Sequence, residues 1–384
     1  MKAAIFRGPG ELQIEEIESE RPCPGEIVVS VVVAVTCGTD LKSYRRGHHK
    51  LFPTYPARFG HEFAGIVKEV GAGVTAFEPG MRVVAANTAP CGYCWACTQG
   101  RLSLCENLQF LNGAFAEEVR IPASIVARNT YRIADGTSFA SVAPLEPLAT
   151  VVHGMDKSDI ALGDVVAVSG AGPIGQMFIK LARLRGAHVI AADQSPDRLA
   201  AALRMGANEV LDISPYESTA ERAAALRALT PGGRGADVAI EAVGLPAVWE
   251  QTVQALRPGG TAILFGGPPQ GATFSVNAND MHYFEYTLKG IFHHEPLYVQ
   301  RALRLIESGA LDGEDLITET RPLSRLGESL EDMAAGRGAK YAMKSHPAKE
   351  HLMTSTDTPE VLDDLVRVSR QLGSRSDLVL HGGG

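Results

Sequence analysis

Cys91, Cys94, Cys97 and Cys105 crowd into the segment APCGYCWACTQGRLSLCEN, and the chain has only six cysteines in all. Four thiolates at the spacing C-x2-C-x2-C-x7-C can wrap one tetrahedral ion at about 2.3 Å per sulfur and leave no position open for a substrate. Such a metal is structural. Zinc is the expected ion, because the ligands sit among Pro90, Gly92 and Gly100 in a loop-like composition. An iron–sulfur cluster, which thiolates also hold, is the competing reading, and scattered buried cysteines the plainer one.

A second set of ligand types lies upstream and is spread more widely. The β-branched run ending in VVVAVTCGTD delivers Cys37 at a strand end, and PARFGHEFAGIVKEVG carries His61 and Glu62 just before another strand-like run. Glu146, in VAPLEPLATVVHG, stands between Pro144 and Pro147 ahead of a helical stretch. Three protein ligands with a water or substrate oxygen in the fourth position is the layout of a catalytic zinc. Taken singly, each residue has an ordinary structural reading: Cys37 as a small buried hydrophobe, His61 as a core histidine, Glu146 as a carboxylate at a helix N-terminus.

The third signal is DVVAVSGAGPIGQMFIKLARLRGAHVIAADQS. A buried parallel strand, the fingerprint Gly170, Gly172, Pro173, Ile174 and Gly175, a helix, a second strand and then Asp193 follow in the order of a dinucleotide-binding unit. The glycines permit a tight turn and close approach of a pyrophosphate to the helix N-terminus, and Asp193 is placed to bind the adenosine ribose hydroxyls. A carboxylate there repels a ribose 2'-phosphate, which favours NAD over NADP; Arg198 nearby is the residue that argues the other way.

These elements need two or three domains, which 384 residues supply. No apolar run approaches the roughly 20 residues of a membrane span, and the acidic N-terminal segment does not read as a secretion signal. The cytoplasm is the expected compartment, where reduced thiols favour metal ligation over disulfides. A formal net charge of -8 without any Lys/Arg block speaks against nucleic acid or an anionic membrane as partner. Small molecules remain.

From residue 1 to about 347 the chain resembles the zinc-containing medium-chain alcohol and polyol dehydrogenases, through CGTD, GHEFAG, the four-cysteine lobe, LEPLA, SGAGPIG, IEAVG and LRPGGTAILFGG. The resemblance implies an α/β fold in which a Rossmann doubly wound parallel sheet (residues 151–289) is inserted in a β-barrel-like, GroES-like catalytic domain (1–150 and 290–347). It implies two zinc ions per chain and NAD, with the site in the cleft between the domains. Cys37, His61 and Glu146 match the family's catalytic zinc ligands; a glutamate at Glu146 is similar to the sorbitol dehydrogenase branch. Glu62 matches a carboxylate that binds or supports the zinc, and Thr39 the hydroxyl that receives the alcohol proton. The family also implies a homodimer or homotetramer.

Two positions depart from the family pattern: Lys42 replaces a relay histidine, for which His48 or His49 could substitute, and Glu319 stands where a late histidine is common. The expected substrate is a secondary alcohol on a polyol, sugar or cyclitol, with Tyr44, Asn112, His293, His294 and Glu295 as candidates to touch it. The alternatives are a threonine-type or simple-alcohol dehydrogenase and, in another class, a non-enzymatic NAD-binding structural protein. Residues 348–384 hold a helical pattern, TPEVLDDLVRVSRQLG, and end on SDLVLHGGG, which resembles the start of a class II aldolase. That stretch is read either as a truncated fusion or frame-crossing gene model, with Met353 as a possible start of the neighbouring frame, or as a tail with an amphipathic docking helix.

Overall fold

Val165–Ser169 is a run of five residues that are all buried, and it lies at the middle of a six-stranded sheet. The computed structural model of the chain describes residues 1–48 and 51–345, so His49 and the aldolase-like segment lie outside the described residues. The strand order is Glu209–Asp212, His188–Asp193, Val165–Ser169, Ala236–Glu241, Leu256–Leu264, Thr287–Gly290, and every neighbouring pair is parallel. This is the doubly wound order of a dinucleotide-binding sheet, whose ligands bind outside the carboxyl ends of the strands. Helices cover it because small and β-branched strand residues must be buried on both faces. The helix Pro173–Leu184 starts on Gly172 with proline in its first turn and buries Met177, Phe178, Ile179, Leu181 and Ala182. Phe178 meets Phe265 edge-on at 4.9 Å, and truncating it to alanine is expected to cost about 3–5 kcal/mol.

The second large sheet is built around Ile27–Val35, a nine-residue strand that pairs antiparallel with Phe63–Val70 and Glu118–Ile121. The late strand Tyr341–Lys344 returns to the same strand at Ala34 and Val35 and continues the sheet to Glu319–Pro322. That return matters for chemistry, because it carries Lys340 to the foot of the Cys37 turn. One apolar core joins both sheets: Val33, Val35 and Val84 pack in the same cluster as Leu148, Val168, Phe178 and Ile240. The helix Leu145–Lys157 supplies much of this joint, with nine buried residues. Among the described residues no helix is long and apolar enough to cross a membrane.

Candidate active site

Two residues beyond the strand Ile27–Val35, Cys37 becomes the N-cap of the helix Gly38–Arg46. Its Sγ accepts the Thr39 N–H at 3.2 Å, while its own N–H donates to Asp40 Oδ2 at 2.9 Å. A sulfur in that place faces the positive end of the helix, but burial, with the Asp40 carboxylate beside it, pushes the metal-free thiol above the ordinary cysteine range. His61 arrives from the next strand connection, just after Gly60, whose φ of 92° and closeness to the Phe115 ring leave no room for a side chain. The His61 Nδ1 lies 3.1 Å from Asp40 Oδ1 and its Nε2 lies 3.3 Å from Cys37 Sγ. With Nδ1–H given to Asp40, Nε2 turns its lone pair toward the sulfur.

Glu62 is almost fully buried. Its Oε2 pairs with the Lys340 ammonium, which also donates to the Thr36 carbonyl at 2.9 Å. Its Oε1 has no hydrogen-bond partner among the described residues. Donor atoms of Cys37, His61 and Glu62 all fall within 4.8 Å of one another. A soft, a borderline and a hard donor at that spacing, one of them a buried and otherwise unpaired carboxylate oxygen, fit zinc.

Glu146 sits in the first turn of the helix Leu145–Lys157 and belongs to an adjoining set. Its Oε1 lies 3.9 Å from His293 Nδ1 and 3.8 Å from His294 Nε2, and donor atoms of these three also fall within 4.8 Å. The four expected zinc ligands are therefore divided: three converge, and the fourth groups with two histidines instead. Burial pushes the Glu146 carboxyl up to about 7, against the pull of His61. Burial likewise takes His293 down to about 4, helped by the charges of His61 and His153.

The cysteine lobe is arranged differently. Cys91 and Cys97 sulfurs are 4.0 Å apart, those of Cys94 and Cys105 3.9 Å, and all four are free thiols. A tetrahedron with metal–sulfur bonds of about 2.3 Å has edges of about 3.8 Å. The lobe matches that figure and is far from a disulfide length. Backbone N–H groups of Cys91 and Asn107 point at Cys105 Sγ at 3.2 and 3.3 Å, and that of Cys94 at Cys91 Sγ at 3.4 Å. Burial resists ionisation of Cys91, yet N–H donations from Tyr93 and Cys94 outweigh it and bring its thiol down to about 6.

In the cofactor fingerprint, Gly170 adopts φ 100° and a Cβ on Gly175 would stand 1.8 Å from the Gly170 carbonyl oxygen, so neither position admits a side chain. Gly172 caps the helix with no side-chain bond, Pro173 and Ile174 open it, and a Cβ at 172 would point into open space. This is a cradle into which a pyrophosphate can approach the free N–H groups. Asp193 accepts from Ala171 N at 2.8 Å and Ser195 N at 3.0 Å, and Arg198 lies 3.9 Å away. Its carboxylate thus also ties the fingerprint turn to the second strand.

Several candidates are used elsewhere. The Tyr44 hydroxyl donates to the Gly10 carbonyl, Asn112 donates to Leu51, and Glu295 accepts from Ser103 N beside the cysteine lobe. Exposed Glu319 pairs with Arg321. His48 Nδ1 accepts the Leu51 N–H. Lys42 donates to the Gly267 carbonyl at 3.3 Å, at the carboxyl end of the parallel sheet. Sequence reading missed Asp40, Lys340 and Glu241. Asp40 was within reach, three residues after an N-cap as in a capping box; nothing local marks Lys340. Glu241 lies within the quoted IEAVG and receives the N–H groups of Val243, Gly244 and Gly266.

With this geometry established, residues 23–131 match the alcohol dehydrogenase GroES-like domain and residues 173–308 match zinc-binding dehydrogenase. The chain is 30% identical to sorbitol dehydrogenase of Bacillus subtilis over 338 residues, covering 86% of this chain and 93% of that one. It is 32% identical to L-threonine 3-dehydrogenase of Pyrococcus abyssi over 339 residues, covering 85% and 93%. Among solved structures it is similar to a zinc-binding dehydrogenase of Sinorhizobium meliloti 1021 bound to NADP, with a TM-score of 0.81 and 31% identity over 89% of this chain and 98% of that one. The doubly wound sheet with its GroES-like partner, as expected, is the architecture of these proteins, and the non-enzymatic reading is set aside. The chain belongs to the zinc-containing medium-chain alcohol and polyol dehydrogenases.

Proposed function

We propose that this dehydrogenase oxidises a secondary alcohol of a polyol, sugar or cyclitol with NAD, on a zinc site made by Cys37, His61, Glu62 and Glu146. The observation that supports it most is the convergence of Cys37, His61 and an unpartnered Glu62 oxygen within 4.8 Å, with Glu146 in the adjoining set. When bound, zinc supplies Lewis acidity at the alcohol oxygen and NAD supplies the hydride acceptor. Asp40 orients His61, and Lys340 offsets the charge of buried Glu62. Thr39, on the turn whose N–H holds the Cys37 sulfur, receives the alcohol proton. Gly170, Gly172, Pro173, Ile174 and Gly175 cradle the pyrophosphate, and buried Asp193 disfavours a 2'-phosphate, with Arg198 as the residue that would accept one.

Cys91, Cys94, Cys97 and Cys105 hold a second, structural zinc. The reading places the zinc-site half in residues 1–150 and 290–347, the cofactor half in 151–289, and the protein in the cytoplasm as a homodimer or homotetramer. The test is NAD reduction by purified zinc-loaded protein with polyols, sugars, cyclitols, simple alcohols and threonine, and NADP as control. Turnover of a polyol, sugar or cyclitol with NAD is expected; turnover confined to threonine or to simple alcohols overturns the substrate class, and a preference for NADP overturns the role of Asp193.

A further inference from the structure

We infer that a groove at the far end of the helix Leu145–Lys157 binds an aliphatic carboxylate, at a site separate from the zinc ligands and from the cofactor cradle. The groove has a volume of about 520 Å³, within the range of small-molecule sites. Its floor is apolar: Val152, Met155 and Leu181 are buried there, and Leu305 is half-buried beside them. Leu184 forms a wall with 54% of its surface in water. Three helices meet at this groove, and each of them begins at the chemistry. Leu145–Lys157 carries Glu146 in its first turn, Pro173–Leu184 starts on Gly172 of the cradle, and Pro296–Glu307 follows directly after His293 and His294. Along the first of these, Met155 stands roughly 13 Å beyond Glu146 at 1.5 Å per residue. The groove is therefore at the opposite end of the helices from the zinc donors.

The rim selects the charge of the occupant. Arg185, Arg301 and Arg304 line the groove against a single carboxylate, Asp156. That carboxylate is already engaged, since it accepts from the Tyr298 hydroxyl at 2.8 Å and from Arg301 Nη1 at 3.0 Å. Arg185 gives one N–H to the Met155 carbonyl at 2.7 Å, and among the described residues no ion pair engages it or Arg304. Two guanidinium groups without a carboxylate, set above an apolar floor, are complementary to a carboxylate that carries a hydrocarbon tail. Their planar forks can grip the two oxygens side by side, while the methylene groups cover the leucines. Arg301 to Ser308 spans roughly 10 Å of groove, the reach of an acyl chain of about eight to ten carbons. A small hydrophilic anion would leave Leu184 and Leu305 wet, and a neutral hydrocarbon would leave both guanidinium groups without a partner. The acid answers both parts of the surface.

Decanoate is the probe, titrated calorimetrically into the zinc-loaded protein. One molecule per chain is expected to bind with a Kd below about 1 mM. Decyltrimethylammonium, which has the same tail and the opposite charge, should bind at least about tenfold more weakly. Arg304→Ala should weaken decanoate binding about tenfold or more, and Leu184→Ser should weaken it severalfold, with alcohol oxidation unchanged in both. Both side chains are exposed, so either variant carries the test if the other fails to fold. Cys37→Ser should bind decanoate as the wild type does. Absence of saturable binding, equal binding of the ammonium, or binding untouched by both groove substitutions overturns the site. Binding that is lost in Cys37→Ser puts decanoate at the zinc ligands and overturns it too. Sedimentation deals with the other occupant, a second copy of the chain: both groove variants should keep the wild-type mass, and a fall in mass would assign the groove to subunit contact and overturn acid binding.

Discussion

Around Cys94 every candidate ligand is a sulfur from the same short loop, whereas around Cys37 the sulfur meets an imidazole 24 residues away and a carboxylate braced by a lysine 278 residues further on. The loop closes on itself with backbone N–H groups aimed at sulfur. The other site stays incomplete without long-range return of the chain, and it keeps a carboxylate oxygen unpaired. A closed set of four thiolates supplies folding energy, while a mixed set beside a second polar set leaves room for a substrate. On the proposed reading, one region holds the fold and the other uses it.

The comparison breaks most sharply at Cys37. Cys37→Ser should lower turnover by about 1,000-fold or more, equivalent to about 4 kcal/mol of barrier, and remove one zinc per chain while circular dichroism stays native. Normal activity with full metal content would end the distinction. Cys94→Ser should do the reverse: a loss of several kcal/mol, seen as a fall of melting temperature on the order of 10 °C, with turnover per folded molecule within a few-fold. Equal effects of the two substitutions on chemistry would show that the regions are not separate in role.

The same contrast explains what was legible in the sequence. The cysteine spacing is local, and so is the glycine fingerprint, so both were readable in a single window; Gly170, Gly175 and the buried strand Val165–Ser169 appear where expected. The open site depends on strand return. Lys340 reaches Glu62 only because Tyr341–Lys344 pairs with Ala34 and Val35, and no local pattern encodes a partner that distant. Glu146 was readable as a ligand type, but its closeness to His293 and His294 is a product of packing. Tyr44 and Glu295 were polar in the right neighbourhoods, and their hydrogen bonds to Gly10 and Ser103 could not be read from composition.

A second contrast concerns protonation of the metal-free protein. Glu146 has a carboxyl raised from 4.5 to about 7, chiefly by burial. Between those two values the folded chain holds a proton that the unfolded chain has released. Stability of metal-free protein therefore falls as pH rises through that window and is fullest below it, by about 3 kcal/mol at most. Glu146→Gln should flatten this part of the pH profile in chemical denaturation, and zinc loading should reverse its direction because the metal selects the carboxylate. The cysteine lobe has no carboxylate ligand and should leave the difference between Glu146→Gln and wild type unchanged when Cys94 is replaced.

The smallest expected effect lies at the seam between the two sheets. Lys42, on the same helix as Cys37, donates to the Gly267 carbonyl, and burial, with Arg46 nearby, holds its ammonium below the ordinary lysine range. The neighbouring Gly266 is gripped from the other side by Glu241, and its carbonyl accepts from Trp249 Nε1 at 3.3 Å. This turn stands at the carboxyl end of the parallel sheet, where such sheets bind their ligand. Lys42→Gln removes a charged donor from a half-exposed bond worth about 1 kcal/mol, so the KM for NAD should rise about fivefold with kcat nearly constant. Trp249 fluorescence gives an independent reading, since a loosened Gly266–Gly267 turn should change its emission even without nucleotide. A fall in kcat with KM unchanged would instead place Lys42 in the proton path that the family's histidine serves, and would move it from the seam to the open site.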